Sequence, residues 1–415
     1  MRTLADYIPR GAFLAPRLME ELQPGAPIVG IDADAQTGSL LSIAGSVPII
    51  VHSAAATDSF LSAIEASGLR RPEEVIRYDT REEYITLVRE RMLGGELAWF
   101  AHPVPRDIFP AEPSLVNAEL MTKLNLRDTV DRIVPEINRP KRRLIEGAPE
   151  VESALGQLIP GQVVKDARLP SSSGGAGVWL IRRHRHAKRA RDALRGASRI
   201  VVEERVQYIR NHCVQFAAIS EEEVVLVGSS EQRTSKSGHY IGNCIDPATP
   251  VSAEILALAR GIALTAARSG FRGIAGFDIL ERNDGPPLAI DLNFRPNGST
   301  PFLFAHHALS AQRNTPAAEF AFAKTQSEAA DVLSCLRPMI DNGWLALLGL
   351  FDPIAAGSPK NPTAVRVMIL GAELSEVAER RAILRRAGFG FAFEPLSMKQ
   401  RIARLFKRRH RQSLL

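Results

Sequence analysis

"GIAGFDILERNDGPPLAIDLNFRPNG", residues 273–298, is two alternating segments on either side of a turn. In the second segment Leu288, Ile290, Leu292 and Phe294 alternate with Ala289, Asp291, Asn293 and Arg295. A strand of that period sends one set to each face, and the apolar set reads as core. The other face carries a carboxylate, a carboxamide and a guanidinium in succession, an order that core-building does not require. Asn283-Asp284-Gly285 is a turn signal, so 274–282 and 288–296 read as a β-hairpin. Asp278 shares a face with Asp291 and Asn293 if the register sets it against residue 291 or 293. Set against 292, it points the other way. In the first case three hard oxygen donors converge and suit Mg²⁺. Arg295 then lies one step further on, where it can offset charge on a phosphoryl group or an oxyanion. The bland alternative is a solvated sheet face with an Asp–Arg pair.

Other stretches bear on that choice. "LPSSSGGAGVWLI" (169–181) is a Gly/Ser-rich loop between strands, and Gly174, Gly175 and Gly177 let backbone N–H groups approach phosphate oxygens. A plain flexible turn has the same composition. Lys165, in the apolar strand "QVVKDA", is placed as a point charge for phosphate, or as an edge lysine facing water. "IVVEERV" (200–206) ends a buried-looking strand in Glu203-Glu204, where backbone groups and a carboxylate could meet an adenine edge or a ribose. Lys123, in "NAELMTKLNLR", is by itself a surface charge on a helix.

Taken in order, Lys123, Lys165 with its Gly-rich loop, Glu203-Glu204, Asp278 and Asp291-x-Asn293-x-Arg295 resemble the ATP-grasp superfamily, as in biotin carboxylase and D-alanine–D-alanine ligase. The resemblance covers roughly residues 115–330. It implies ATP held between two α+β subdomains, with Lys123 and Lys165 on phosphates and the Gly-rich loop as a lid. Glu203, Glu204 and Val206 would surround the adenine. Asp278, Asp291 and Asn293 would hold Mg²⁺, and Arg295 would face the reacting carboxylate. Asn211 falls where the family places a ribose or phosphate contact, and Gln232 in a segment that faces the reacting groups. The family has Glu where this chain has Asp291; the shorter arm reaches one Mg²⁺ but has less reach for bridging two.

The fold class expected is α/β and α+β. Residues 1–113 form a pre-ATP-grasp βαβ domain, 114–335 a two-subdomain ATP-grasp fold, and 336–395 a small C-terminal α+β domain similar to that of pheganomycin-type peptide ligases. A basic tail closes the chain at 396–415. In the first unit "VPIIVHS", "EEVIRYD" and "ELAWFAHP" alternate with helical segments. It lacks a G-x-G-x-x-G fingerprint and is not read as a dinucleotide site. A helical stretch at 114–133 opens the second unit.

Composition limits the classes further. At 415 residues the chain is too long for one core. With 45% hydrophobic and 24% charged residues it is ordinary globular protein. Its apolar runs are far shorter than the roughly 20 residues of a membrane span. The opening "MRTLADYIPRGAF" lacks a secretory apolar core, and Cys213, Cys244 and Cys335 have no metal-like spacing, which together suggest a cytoplasmic protein. Much of the net charge of +6 sits in "MKQRIARLFKRRHRQ" near the C-terminus. A second basic cluster at 182–199 reads as an exposed helix. Neither is interleaved with aromatics, so dedicated nucleic-acid binding is a minor reading.

The reaction implied by the resemblance is ATP-dependent joining of a small-molecule or peptide carboxylate to an amine through an acyl phosphate, with Mg²⁺. Phosphoryl transfer to a small molecule and non-catalytic nucleotide binding remain as alternatives. A homodimer is the default expectation.

Overall fold

The computed structural model describes residues 2–19, 30–109, 112–168, 177–235, 238 and 240–389. Gly174, Gly175 and the basic tail at 396–415 lie outside the described residues.

The N-terminal unit is built on β1 (Ala12–Ala15), β2 (Ile49–His52), β3 (Val75–Tyr78) and β4 (Leu97–Phe100), all parallel, in the order β3-β2-β1-β4. Helices Asp58–Ala66 and Arg81–Leu93 make the crossovers. Each begins where a threonine accepts an orphan amide: Thr57 from Phe60 and Thr80 from Glu83. β1 and β2 are buried along their whole length, as parallel strands covered on both faces must be. The sequence pattern showed β2 to β4 but not β1, although all four strands are equally short.

The helical stretch expected at 114–133 is instead two short helices, Ala118–Leu124 and Thr129–Ile133. Asn125 ends the first. Its Nδ2 donates to the Met121 carbonyl (2.8 Å) while its Oδ1 accepts the backbone N–H of Phe294 (3.1 Å). The interruption thereby ties this segment to the end of the hairpin quoted above.

A small antiparallel sheet follows: β5 (Arg142–Glu146), β6 (Gln162–Asp166), β7 (Val178–Ile181) and β8 (Arg199–Glu204), in the order β5-β8-β6-β7. Helices Ala148–Gly156 and His184–Ala193 cover one face, where Val151, Leu155, Ala187 and Ala190 pack on Val164, Ile200 and Val202. The second of these is the basic cluster, which buries only Ala187 and Ala190 and turns its charges outward. The alternate strand residues, Lys165 and Glu203 among them, face the other way.

The third sheet has eight antiparallel strands: β9 (Arg210–Ala218), β10 (Val224–Thr234), β11 (Tyr240–Ile245), β12 (Gly273–Glu281), β13 (Leu288–Asn293), β14 (Ala317–Thr325), β15 (Leu345–Phe351) and β16 (Thr363–Gly371). Their order is β13-β12-β9-β10-β11-β14-β16-β15. Helix Ala253–Arg268 packs on the β9–β12 side with Phe271, Phe277 and Phe294. The segment from 336 to Phe389 supplies β15 and β16 to this same sheet, and its Leu347, Val367 and Leu370 share a continuous core with Leu14, Ile49 and Phe60 of the N-terminal unit. Among the described residues no helix is long and apolar enough to cross a membrane.

Candidate active site

The hairpin is β12–β13, and its register answers the question of the shared face. Near the turn Leu280 pairs with Leu288 and Ile279 with Ala289. A regular ladder would next set Ile290 against Asp278 and send Asp291 to the opposite face. A bulge after Ile279 leaves Ile290 unpaired, so Asp278 pairs with Asp291 and Gly276 with Asn293. The two carboxylates stand face to face, and the freed carbonyl of Ile290 accepts the ammonium of Lys165 at 2.7 Å.

Around this pair the polar groups form a connected set. Arg127 Nη1 meets Asp291 Oδ1 at 2.6 Å, and Asn293 Nδ2 donates to Asp291 Oδ2 at 3.2 Å. Arg295 Nη2 donates to Asn293 Oδ1 (2.9 Å), and Gln232 Nε2 to Asp278 Oδ2 (2.8 Å). Lys165 is also ion-paired with Glu203 Oε2 at 2.8 Å, whose other oxygen faces Arg142 at 3.3 Å. Asp278, Asn293, Arg295, Lys165, Glu203 and Arg127 are all buried.

The titration of these groups follows from that geometry. Burial, and next the negative charge of Asp291, push the Asp278 carboxyl up to about 7. Burial raises Asp291 too, but Arg127, Lys165 and Arg295 outweigh it and hold that carboxyl below the usual range. Burial lowers the Lys165 ammonium despite Glu203 and Asp291. It takes the Arg295 guanidinium down to about 10, still a cation at neutral pH. One carboxylate of the pair is therefore firmly ionised and the other poised, an arrangement that an added cation would relieve.

A cavity of about 580 Å³ opens over this face. It brings together Lys165, Glu203, Glu204, Val206, Asn211, Gln232, Asp278, Asp291, Asn293 and Arg295 of the residues singled out in the sequence. Glu204, exposed, accepts from the Lys141 amide, so the two adjacent glutamates serve opposite faces of β8. Asn211 is buried with its Oδ1 unbonded, an acceptor left for a ligand. Two residues are not gathered in. The Lys123 side chain is exposed and outside the cavity lining, and only its carbonyl is used, by Thr129 and Arg132. Gly177 is likewise outside the lining; its φ of +72° turns the chain into β7 beside Asp166.

Sequence reasoning missed Arg127, Arg142, His102, Tyr240 and Arg366. Arg142 is directly opposite Glu203 in the β5–β8 ladder, a pairing that becomes visible only with the register. Arg127 comes from the interrupted helical stretch, 164 residues from its partner Asp291, and no local signal marks it.

The family model described as L-aspartate–L-methionine ligase, ATP grasp, matches residues 140–293. The one described as L-aspartate–L-methionine ligase N-terminal domain matches residues 3–122. Residues 140–293 form an ATP-grasp unit.

The chain is also 29% identical over 153 residues to a probable alpha-L-glutamate ligase of Enterobacter sp. (strain 638), covering 37% of the chain and 49% of that relative. It thus spans about half the length of the relatives it matches. Among solved structures, the ADP complex of an N5-carboxyaminoimidazole ribonucleotide synthetase superposes with a TM-score of 0.58 at 13% identity, covering 91% of this chain and 97% of that one. A biotin carboxylase from Campylobacter jejuni superposes at 0.51 and 10% identity, covering 84% and 86%. At such identities the likeness is one of fold: the ATP-grasp architecture extends through both terminal segments.

Proposed function

We propose that the chain is an ATP-dependent ligase that joins the carboxylate of one amino acid to the amine of another. The observation that carries this reading is the face-to-face pair Asp278–Asp291, flanked by Asn293 and Arg295 in one cavity with Lys165. Amino-acid substrates are favoured because the matching family models are named for joining aspartate to methionine and a matched relative for ligating glutamate.

The site's donors fit Mg²⁺. Two carboxylates and the Asn293 carboxamide are hard oxygen donors, and the cation would take the place of the proton that Asp278 otherwise keeps. Among the described residues no third His, Cys, Asp or Glu joins them, which suits a metal that completes its shell with phosphate oxygens and water. When bound, Mg²⁺ supplies charge neutralisation for the phosphates of ATP.

The chain's own groups do the rest. Glu204, Val206 and Asn211 border the part of the cavity suited to the nucleoside, and Lys165 presents positive charge to phosphate. A carboxylate oxygen of the first amino acid attacks the γ-phosphorus; ADP leaves and an acyl phosphate forms. The nitrogen of the second attacks the acyl carbon, phosphate leaves, and the nitrogen loses a proton. Arg295 is placed to stabilise the oxyanion of that addition, and Arg127 holds Asp291 ionised throughout.

The test is ADP release with amino-acid pairs, together with hydroxylamine trapping of the acyl phosphate as a hydroxamate. Hydroxamate that depends on Mg·ATP and is lost in Asp291→Ala is the expected result. A phosphorylated product stable to hydroxylamine would instead make the chain a phosphotransferase.

A further inference from the structure

Part of the cavity wall is not used by this chemistry. It comes from β14, β16 and helix Ile31–Thr37, which contribute Phe320, Phe322, Arg366 and Ala35. In strand order this wall lies on the far side of β10 and β11 from the β12–β13 hairpin.

Arg366 occupies a prepared place there. It pairs with Phe322 on one side and Gly349 on the other, where β15 bulges. A Cβ at Gly349 would lie 3.3 Å from Arg366 Cδ and 3.4 Å from its Nη1, so the missing side chain makes room for the arginine's stem and head. The Arg366 guanidinium makes one hydrogen bond, from Nη1 to the Ala35 carbonyl at 3.2 Å, and no ion pair with the described residues. Asp32, the acid near it, is held by Lys324 at 2.6 Å. A guanidinium has five N–H donors in a planar fork, and a half-buried one with a single partner leaves most of them directed at a ligand. Burial lowers its affinity for its proton, a penalty that a bound anion would reverse.

The surroundings are apolar. Tyr240 stacks on Phe322 with ring centroids 6.2 Å apart and planes 14° from parallel, and Phe320, Leu40 and Ala364 complete the wall. Tyr240 also links the two parts of the cavity: its hydroxyl donates to Asn243, which pairs with Gln232 in the β10–β11 ladder. A single fork-shaped cation beside an aromatic wall matches an α-amino acid with a free carboxylate and an apolar side chain.

We propose that Arg366 receives the unreacted carboxylate of the amine-supplying amino acid, whose apolar side chain lies against Phe320, Phe322 and Leu40. This rests on the ligase reading above.

The test uses the full-length chain with Mg·ATP and the common amino acids offered first as carboxylate, then as amine. For the pair that turns over, KM is measured for ATP, the carboxylate substrate and the amine substrate in wild type, Arg366→Lys and Arg366→Met. The expected result in Arg366→Met is a KM for the amine substrate raised about 10- to 100-fold, with the other two KM values moving less than about threefold. Arg366→Lys falls between. Wild type prefers the free amino acid over its C-terminal amide, and Arg366→Met loses that preference, which general damage to the fold would not cause. A rise in KM for the carboxylate substrate instead, an unchanged amine KM, or a variant that still prefers the free acid would each overturn the assignment. If wild type yields neither ADP nor hydroxamate with any amino acid, the ligase reading falls first and this assignment with it. Hydroxamate formed by wild type while Arg366→Met leaves the amine KM unchanged removes this assignment alone.

Discussion

Lys165 Nζ lies 2.7 Å from the Ile290 carbonyl and 2.8 Å from Glu203 Oε2, so one ammonium bolts the small sheet to the bulge of the large one. Both charged side chains are almost fully buried, at 6% and 3% exposure. Removing one leaves the other charge stranded, which costs about 3–5 kcal/mol in comparable buried pairs. Lys165→Met and Glu203→Gln should therefore each lower the urea midpoint strongly, whereas the double variant should lose less than the two added together. Simple additivity of the two losses would show that the pair is not coupled.

The Asp278 carboxyl, raised to about 7, makes a prediction with a definite sign. A carboxyl whose folded pKa lies above its unfolded value binds more protons in the folded state, so the unliganded protein loses stability as pH rises from about 4 to about 7. Asp278→Asn cannot ionise and should flatten that decline in thermal melts across the window. In wild type, Mg²⁺ should stabilise more at pH 8 than at pH 6, because it displaces a proton at the lower pH. Equal Mg²⁺ shifts at the two pH values would count against a metal ligand at Asp278.

Arg127 is the strongest of the charges that keep Asp291 ionised. In Arg127→Met the Asp291 carboxyl should titrate higher, which moves the acid limb of kcat/KM toward neutral pH. Turnover at pH 7 should fall by about 100-fold, the scale of losing a charge-assisted contact in a buried site. Arg127→Lys should recover part of the loss. An unshifted acid limb in Arg127→Met would mean that Asp291 does not depend on this partner.

Asn125→Ala leaves the buried N–H of Phe294 without its acceptor and should cost about 1–3 kcal/mol of stability. Because Arg295 is the next residue, kcat should fall as well, by more than KM for ATP changes. Steady-state kinetics beside thermal unfolding check both parts, and a variant that is less stable but catalytically unaltered would uncouple Asn125 from Arg295.

Much of this was legible in the sequence for a physical reason. Alternation in "LAIDLNF" and the turn at Asn283-Asp284-Gly285 define the hairpin, and the continuous apolar runs of β2 and β4 define a covered parallel sheet. The shared face of Asp278 and Asp291 was not legible, because it depends on one bulged residue that period-two reasoning cannot see. The same limit applies to Arg127, Arg142 and Arg366. Each meets its partners across long stretches of sequence, and an arginine carries no local mark of where its head will be buried. Lys123 differs: its place in the motif order suggested a phosphate contact, while its helix leaves the side chain exposed.

The core that the N-terminal unit shares with β15 and β16 has a consequence for how the cavity holds together. Arg366 reaches the carbonyl of Ala35, 331 residues away in sequence, so this wall exists only while two distant segments stay docked. Damage to the packing of either segment would be felt as a loosening of the same chamber.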